Sequence, residues 1–158
     1  MEIEGADSIS DIFSIFHDGT ISEVLSKDGE IVLTVEIPYL AKRINPSFER
    51  FRVKLLGVKK LEFSTWPSDL KLAPELLTEA ETIFTPQLEI LEGNIEEGRI
   101  EVVCSQHSEA FEYCGGELSF EAQSAEVDDE AGKSYSIEEL GEICEAYWNA
   151  WENGETRA

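Results

Sequence analysis

Apolar and polar residues alternate with a period of two along much of this chain, and this pattern predicts β-strands. Two segments rich in strand-forming residues, Thr20–Ser26 and Glu30–Tyr39, flank Asp28-Gly29. That dipeptide is a strong hairpin signal, because the favoured two-residue turn requires positive φ. Four apolar residues of the second segment share one face: Ile31, Leu33, Val35 and Ile37.

Further strands are indicated on both sides of Gly57. Before it, apolar residues alternate with Arg50, Arg52 and Lys54, which predicts a half-buried strand with a cationic outer face. After it, Leu61 and Phe63 resume the period. The pattern then predicts strands at Gln87–Leu91 and Arg99–Cys104.

The segment around Gly115-Gly116 predicts a second hairpin, in which Ala110–Cys114 pairs with Glu117–Ala125. A two-residue turn sets Tyr113 opposite Leu118. In that register the apolar side chains share one face, and the polar ones share the other. The predicted polar face consists of Glu112, Glu117, Ser119 and Glu121.

Three segments have helical character. Ser10 is a candidate N-cap for a short helix at Asp11–Phe16, which follows a loose polar arm at residues 1–9. Helical spacing also predicts a helix within Pro74–Phe84. The strongest signal is at residues 136–153, where Ser136 and Glu139 form a capping box. The apolar stripe of this C-terminal helix is Ile137, Leu140, Ile143, Cys144, Tyr147, Trp148 and Trp151.

Together these elements predict an α+β fold. We expect about seven antiparallel strands in a bent or sandwich-like sheet, with the amphipathic C-terminal helix over its apolar face. A chain of 158 residues suits one domain, covering residues 1–158.

Net charge is the property that says most about possible partners. The chain has 34 acidic and 12 basic residues, a net charge of −22. Residues 61–158 contain 24 acids and 4 bases, whereas residues 1–60 contain 10 acids and 8 bases. Such a field repels nucleic acid and anionic membranes and attracts basic proteins. Acids near the start, the odd number of cysteines and the lack of a long apolar run favour a cytoplasmic protein.

Motifs for metal or catalytic chemistry are weak. His17-Asp18 is typical of a turn, and adjacent residues in extended chain point to opposite faces. Cys104, His107 and Cys114 superficially suggest zinc, but the paired knuckles of a four-ligand site are missing. We therefore expect no metal and no cofactor.

The carboxylates of the second predicted hairpin are the best binding candidates. Like charges side by side on a sheet reduce stability, and nothing nearby in sequence neutralises them. The candidates are Glu112, Glu117 and Glu121, extended by Glu89 and Glu101. The second candidate group, Arg50, Arg52 and Lys54, could hold an anion or pair across strands with glutamates such as Glu23 or Glu36.

Phe16-His17-Asp18-Gly19, the Asp28-Gly29 hairpin and the segment Phe51 to Phe63 resemble small bacterial families of unknown function. Some of these families are similar to immunity proteins of polymorphic toxin systems. The resemblance covers about the first 65 residues and implies a small α+β domain without an established activity.

The leading functional hypothesis is a non-enzymatic binding protein of the immunity or inhibitor type, which uses its acidic sheet to dock a basic partner. The alternative is a small-molecule binder or hydrolase, with a pocket beneath the C-terminal helix near Trp66, Tyr147 and Trp151. A third reading is that the acidity serves solubility alone.

Overall fold

The computed structural model describes residues 2–154. It contains four helices: α1 (Ala6–Ile15), α2 (Pro38–Ile44), α3 (Ala80–Ile83) and α4 (Ile137–Glu152). The first six strands are β1 (Ile3–Glu4), β2 (Thr20–Lys27), β3 (Glu30–Glu36), β4 (Arg50–Leu56), β5 (Lys59–Pro67) and β6 (Leu76–Leu77). The others are β7 (Leu88–Glu96), β8 (Arg99–Gln106), β9 (Tyr113–Glu121), β10 (Ser124–Asp128) and β11 (Ser134–Tyr135). The fold is α+β with a mainly antiparallel sheet and a C-terminal helix, as predicted.

The sheet consists of two halves. Ten strands run in the order β1-β10-β4-β3-β2-β7-β8-β9-β5-β6, and β11 pairs with β10. We call the part from β1 to β2, with β11, the first half, and the part from β7 to β6 the second half. Only two residue pairs join them, Thr20 with Glu89 and Ile21 with Leu88.

The chain crosses between the halves at two neighbouring places, after β4 and after β9. At the first crossing Gly57 has φ 64°, and at the second the amide of Gln123 donates to the Leu56 carbonyl at 2.8 Å. A Cβ on Gly57 would lie 2.6 Å from the Gln123 side chain, so the two crossings pass in direct contact.

Helix α1 packs on the second half and also reaches the first. Its residues Ile9, Ile12 and Phe13, and the following Phe16, are fully buried. The Phe13 ring meets Phe120 of β9 edge-on at 6.0 Å, and the Phe16 ring stacks on Phe51 of β4 at 4.9 Å. Both halves therefore share one core.

The predicted C-terminal helix is confirmed. Ser136 accepts a hydrogen bond from the Glu139 amide, and the Glu139 carboxylate accepts one from the Ser136 amide, which completes the capping box. Leu140 and Tyr147 are buried, and α4 packs against α1 and α2.

The predicted number of strands is wrong, because the sheet has eleven strands rather than about seven. Three of the additional strands contain two residues each, which is too short for a visible alternation: β1, β6 and β11.

The loose arm predicted at residues 1–9 is wrong for residues 3–9. Ile3 and Glu4 pair with Ala125 and Ser124, and α1 begins at Ala6 rather than at Asp11. Ser10 is a buried helical residue instead of an N-cap. Met1 of this predicted arm, and residues 155–158 of the predicted domain, lie outside the described residues.

Gly115-Gly116 is not a hairpin turn, since β9 runs straight through it between β8 and β5. The reason for the glycines is close packing of backbone. A Cβ on Gly115 would lie 2.3 Å from the Cys104 carbonyl oxygen, and one on Gly116 would lie 2.4 Å from that of Ser64. The helix predicted within Pro74–Phe84 is also reduced, to Ala80–Ile83, and Leu76–Leu77 form β6.

We predict that Gly116→Ala destabilises the protein by about 2–3 kcal/mol, because its methyl group would overlap the Ser64 carbonyl and the Phe63 ring. Gly141→Ala is the matched control. No atom lies within 4 Å of a Cβ at this helical position, so we expect stabilisation of about 0.5–1 kcal/mol. Urea unfolding of both variants measures the difference, and equal stabilities would contradict the packing described for β9.

Candidate functional site

The outer surface of the second half is a grid of side chains set by the strand register. Three lines of residues cross it, each from β7 through β8 and β9 to β5. The first line is Glu89, Ser105, Gly115 and Trp66. The second is Glu92, Val103, Glu117 and Ser64. The third is Asn94, Glu101, Ser119 and Glu62.

Two further carboxylates extend this surface. Glu96 lies opposite Arg99, and Glu121 lies opposite Lys59. We call the seven carboxylates the acidic face: Glu62, Glu89, Glu92, Glu96, Glu101, Glu117 and Glu121. Inward residues of the same strands, such as Val102 and Phe120, are buried, and this alternation fixes the carboxylates on the outside.

Four of the five predicted acidic site residues thus lie on one face: Glu89, Glu101, Glu117 and Glu121. Glu112 does not, because it precedes β9 instead of belonging to a hairpin strand. Its carbonyl accepts a hydrogen bond from the Ser68 amide at 2.9 Å, which places it at the edge formed by the loop after β5. Sequence reasoning missed Glu62, Glu92 and Glu96, since their position depends on the pairing of β5 and β7.

Glu96, Glu101 and Glu117 form the centre of the acidic face. Partial burial raises the pKa of Glu101, and the carboxylates of Glu96 and Glu117 raise it further. Within residues 2–154, no lysine or arginine nitrogen lies within 4.0 Å of these three carboxylates. The centre therefore carries like charges without a direct ion pair, and the more distant charge of Arg99 offsets only part of the rise in the pKa of Glu101.

The two nearest cations are engaged elsewhere. Lys60 pairs with Glu121 at 3.2 Å. Nη2 of Arg99 donates to the Lys60 carbonyl at 2.7 Å and to Ser119 Oγ at 3.1 Å, and lies 3.7 Å from Glu62. The positive charge is thus held along the β5 side of the face.

At the other end of the face, Glu89 belongs to a small polar cluster. Glu89 Oε1 accepts a hydrogen bond from Ser105 Oγ at 2.9 Å and lies 3.3 Å from His107 Nε2. Ser105 Oγ is 3.1 Å from the same histidine nitrogen. One nitrogen faces both partners, so the imidazole is not placed to relay a proton between serine and carboxylate.

The three residues of the predicted cationic row on β4 have different surroundings. Nε of Arg50 donates to both carboxylate oxygens of Glu36, at 2.8 and 3.0 Å, which confirms the expected cross-strand pairing. Lys54 lies 3.6 Å from Glu30. In the described part of the chain, Arg52 has no carboxylate within 4.0 Å. It lines a hollow of about 630 Å³ that Glu23 and Glu36 also line.

The structure separates the residues suggested for zinc. Cys104 is buried, and burial raises the pKa of its thiol to about 12, whereas Cys114 is exposed. Residues 2–154 contain no group of three histidine, cysteine or carboxylate side chains suited to a metal ion. His17 lies in a turn, where its ring stacks on Trp148 at 5.6 Å.

The three aromatic residues suggested for a pocket also lie apart. Tyr147 and Trp151 belong to an aromatic cluster on α4, which Trp148 connects. Trp66 instead lies over Gly115 on the outer surface of the sheet, where its Cε3 would be 3.1 Å from an added Cβ.

Comparisons with protein-family models, curated proteins and solved structures found no match to this chain. Among residues 2–154, no helix combines the length and the apolar character that crossing a membrane requires.

We predict that Glu101→Gln stabilises the fold at pH 7 by about 0.2–1 kcal/mol, because it removes a carboxylate from between two others. A carboxyl group whose pKa is higher in the folded than in the unfolded state costs stability as the pH rises from the unfolded towards the folded value. The advantage of the variant should therefore shrink as the pH falls through that window. Urea unfolding between pH 4 and pH 7 measures it.

Glu109→Gln is the control, since Glu109 is an exposed residue in the turn between β8 and β9. A gain equal to that of Glu101→Gln at every pH would attribute the effect to net charge rather than to the cluster.

Proposed function

We propose that this chain is a non-enzymatic binding protein that docks a basic partner through the acidic face. The observation that carries the proposal is the position of Glu96, Glu101 and Glu117 together on a regular sheet surface, where none of the three carboxylates has an ion pair within residues 2–154. Like charges placed together on a sheet cost stability, and a cationic partner would offset that cost on binding.

The shape and composition of the surface support the same role. Seven carboxylates lie on four adjacent strands, and the two nearest cations, Arg99 and Lys60, pair with Glu62 and Glu121 at one side. Strands hold these carboxylates at fixed spacing. A rigid and complementary surface reduces the entropy lost on association and accelerates encounter with a cationic protein.

The partner class that we propose is a basic protein such as a toxin or a nucleic-acid-binding protein. The resemblance of the first 65 residues to families related to immunity proteins supports a toxin. An acidic inhibitor can occupy the cationic surface that such an enzyme uses for its polyanionic substrate. On this proposal the chain would act by covering the cationic surface of the toxin and so blocking access of its polyanionic substrate.

We expect that affinity purification from a lysate of the source organism, at about 50 mM salt, recovers a basic protein, identified by mass spectrometry. Its dissociation constant for the wild-type chain should rise steeply with salt, because exposed charges are screened beyond about 10 Å at 0.1 M. Glu101→Gln combined with Glu117→Gln should weaken binding about tenfold or more.

The charge-matched control is Glu142→Gln with Glu145→Gln, which removes two exposed carboxylates from α4. If both double variants bind alike, or if affinity is independent of salt, the acidic face is not the docking surface. If the first double variant changes only stability and no basic protein is recovered, acidity for solubility alone is the better account.

A further inference from the structure

The loop that follows β5 displays several large apolar side chains to solvent. We call residues 68–79 the leucine loop. Leu70 is 101% exposed, Leu76 59% and Leu72 42%, and the neighbouring Trp66 of β5 is 36% exposed. Single exposed leucines are ordinary, whereas several large exposed apolar side chains within one short segment are typical of an interaction surface.

The leucine loop is held in place by backbone hydrogen bonds. The Thr65 amide donates to the Glu75 carbonyl, and the Glu75 amide donates to Thr65 Oγ1, both at 2.9 Å. The Lys71 amide donates to Asp69 Oδ1 at 2.9 Å, and the Ser68 amide anchors the loop to Glu112. Leu77 packs against the core, whereas Leu70, Leu72 and Leu76 are presented to solvent on this hydrogen-bonded frame.

A hollow of about 310 Å³ opens between the leucine loop and the start of β9. Pro67, Leu72 and Pro74 supply apolar walls, and Glu75 and Glu112 supply carboxylates. Tyr113 completes the lining, and its pKa is raised by partial burial and by the charge of Glu75. The hollow therefore combines an apolar interior with a negatively charged border.

The charges around the hollow identify what can cover it. Lys71 is the only lysine or arginine between residues 61 and 98. A second copy would bring the same excess of carboxylates, including its own Glu75 and Glu112, against this surface, which is unfavourable. Charge complementarity instead selects a partner that brings both apolar and cationic side chains.

Trp66 connects the two surfaces. It ends the first line of the acidic face, beside Gly115, and the leucine loop begins two residues later. Strand β6, within the loop, is the terminal strand of the sheet. An extended segment can lie along such an edge, with alternate side chains directed to opposite sides.

We infer that the leucine loop is the apolar anchor of the docking surface, and that its occupant is an extended segment in which apolar residues alternate with lysine or arginine. This inference rests on the proposed function, because the segment belongs to the basic partner that the acidic face attracts. The apolar side chains enter the hollow and cover Leu70 and Leu76, while the cationic ones face Glu75 and Glu112.

Two fluorescent nine-residue peptides of equal charge test this inference, one alternating lysine with leucine and the other alternating lysine with serine. At low salt, anisotropy titrations should show that the wild-type chain binds the leucine peptide about tenfold more tightly than the serine peptide, or about 1.4 kcal/mol. The double variant Leu70→Ser with Leu76→Ser should lose this preference and keep its affinity for the serine peptide.

Leu25→Ser is the matched control, since Leu25 is 73% exposed on β2, far from the loop in the strand order. It should leave both affinities unchanged. Leu70→Lys is a second variant of a fully exposed position, and it should weaken the leucine peptide further by repulsion. Thermal unfolding of each variant confirms that the fold is retained.

Equal binding of the two peptides by the wild-type chain, or an unchanged preference in the double loop variant, would overturn the anchor while leaving the acidic face intact. Failure of the proposed function gives a different result. In that case neither peptide binds at low salt, or the double variant Glu101→Gln with Glu117→Gln binds both as tightly as the wild type, and both proposals fall.

Discussion

The packing of α1 between the two halves of the sheet is the interaction on which the rest of the structure depends. Among the described residues, strand pairing between the halves is limited to two residue pairs of β2 and β7. A few backbone hydrogen bonds, from Asp18 to Ile90, from Ile90 to Gly19 and from Gln123 to Leu56, supplement it, so the relative position of the halves also needs side-chain packing. Phe13 contacts Phe120 in the second half, and Phe16 stacks on Phe51 in the first. These contacts fix both inner faces against one helix, and the outer faces become defined as a consequence. Burial of large aromatic side chains is the strongest stabilising contribution available to such a chain.

Because the inner side chains hold the strands in place, the outer surface of the sheet can carry seven carboxylates. In β8 and β9 the outward positions alternate with buried residues such as Val102, Leu118 and Phe120, so these strands are held by their inner side chains. In β7 the buried inward residues are Leu88 and Ile90, at the start of the strand. Partial burial, and then the charges of Glu96 and Glu117, raise the pKa of Glu101 on this surface. The acidic face and the leucine loop meet at Trp66, and in the proposed function they supply the electrostatic and the apolar part of one docking surface.

Sequence patterns predicted the elements whose determinants are local. The capping box of Ser136 and Glu139, the hairpin at Asp28-Gly29 and the pairing of Arg50 with Glu36 are all present. The prediction of a turn at Gly115-Gly116 was wrong because glycine is favoured both in turns and where backbones pack closely. Only the positions of the neighbouring strands distinguish these two cases. The membership of Glu62, Glu92 and Glu96 in the acidic face also depends on long-range pairing. Extending the apolar spacing back from Ile12 and Phe16 to Ile9 would have shown that α1 begins before Ser10.

The position of β10 has a consequence for how the chain acquires its structure. β10 lies between β1 and β4, so residues 124–128 complete a layer whose other strands, apart from the two-residue β11, come from the first 56 residues. During synthesis from the N-terminus, β4 keeps an unpaired edge until more than four-fifths of the chain has emerged. Pairings of such long sequence separation form slowly and leave strand edges open to other chains in the interim. High negative charge on the intervening segment keeps those nascent chains apart while the layer waits for its last strand.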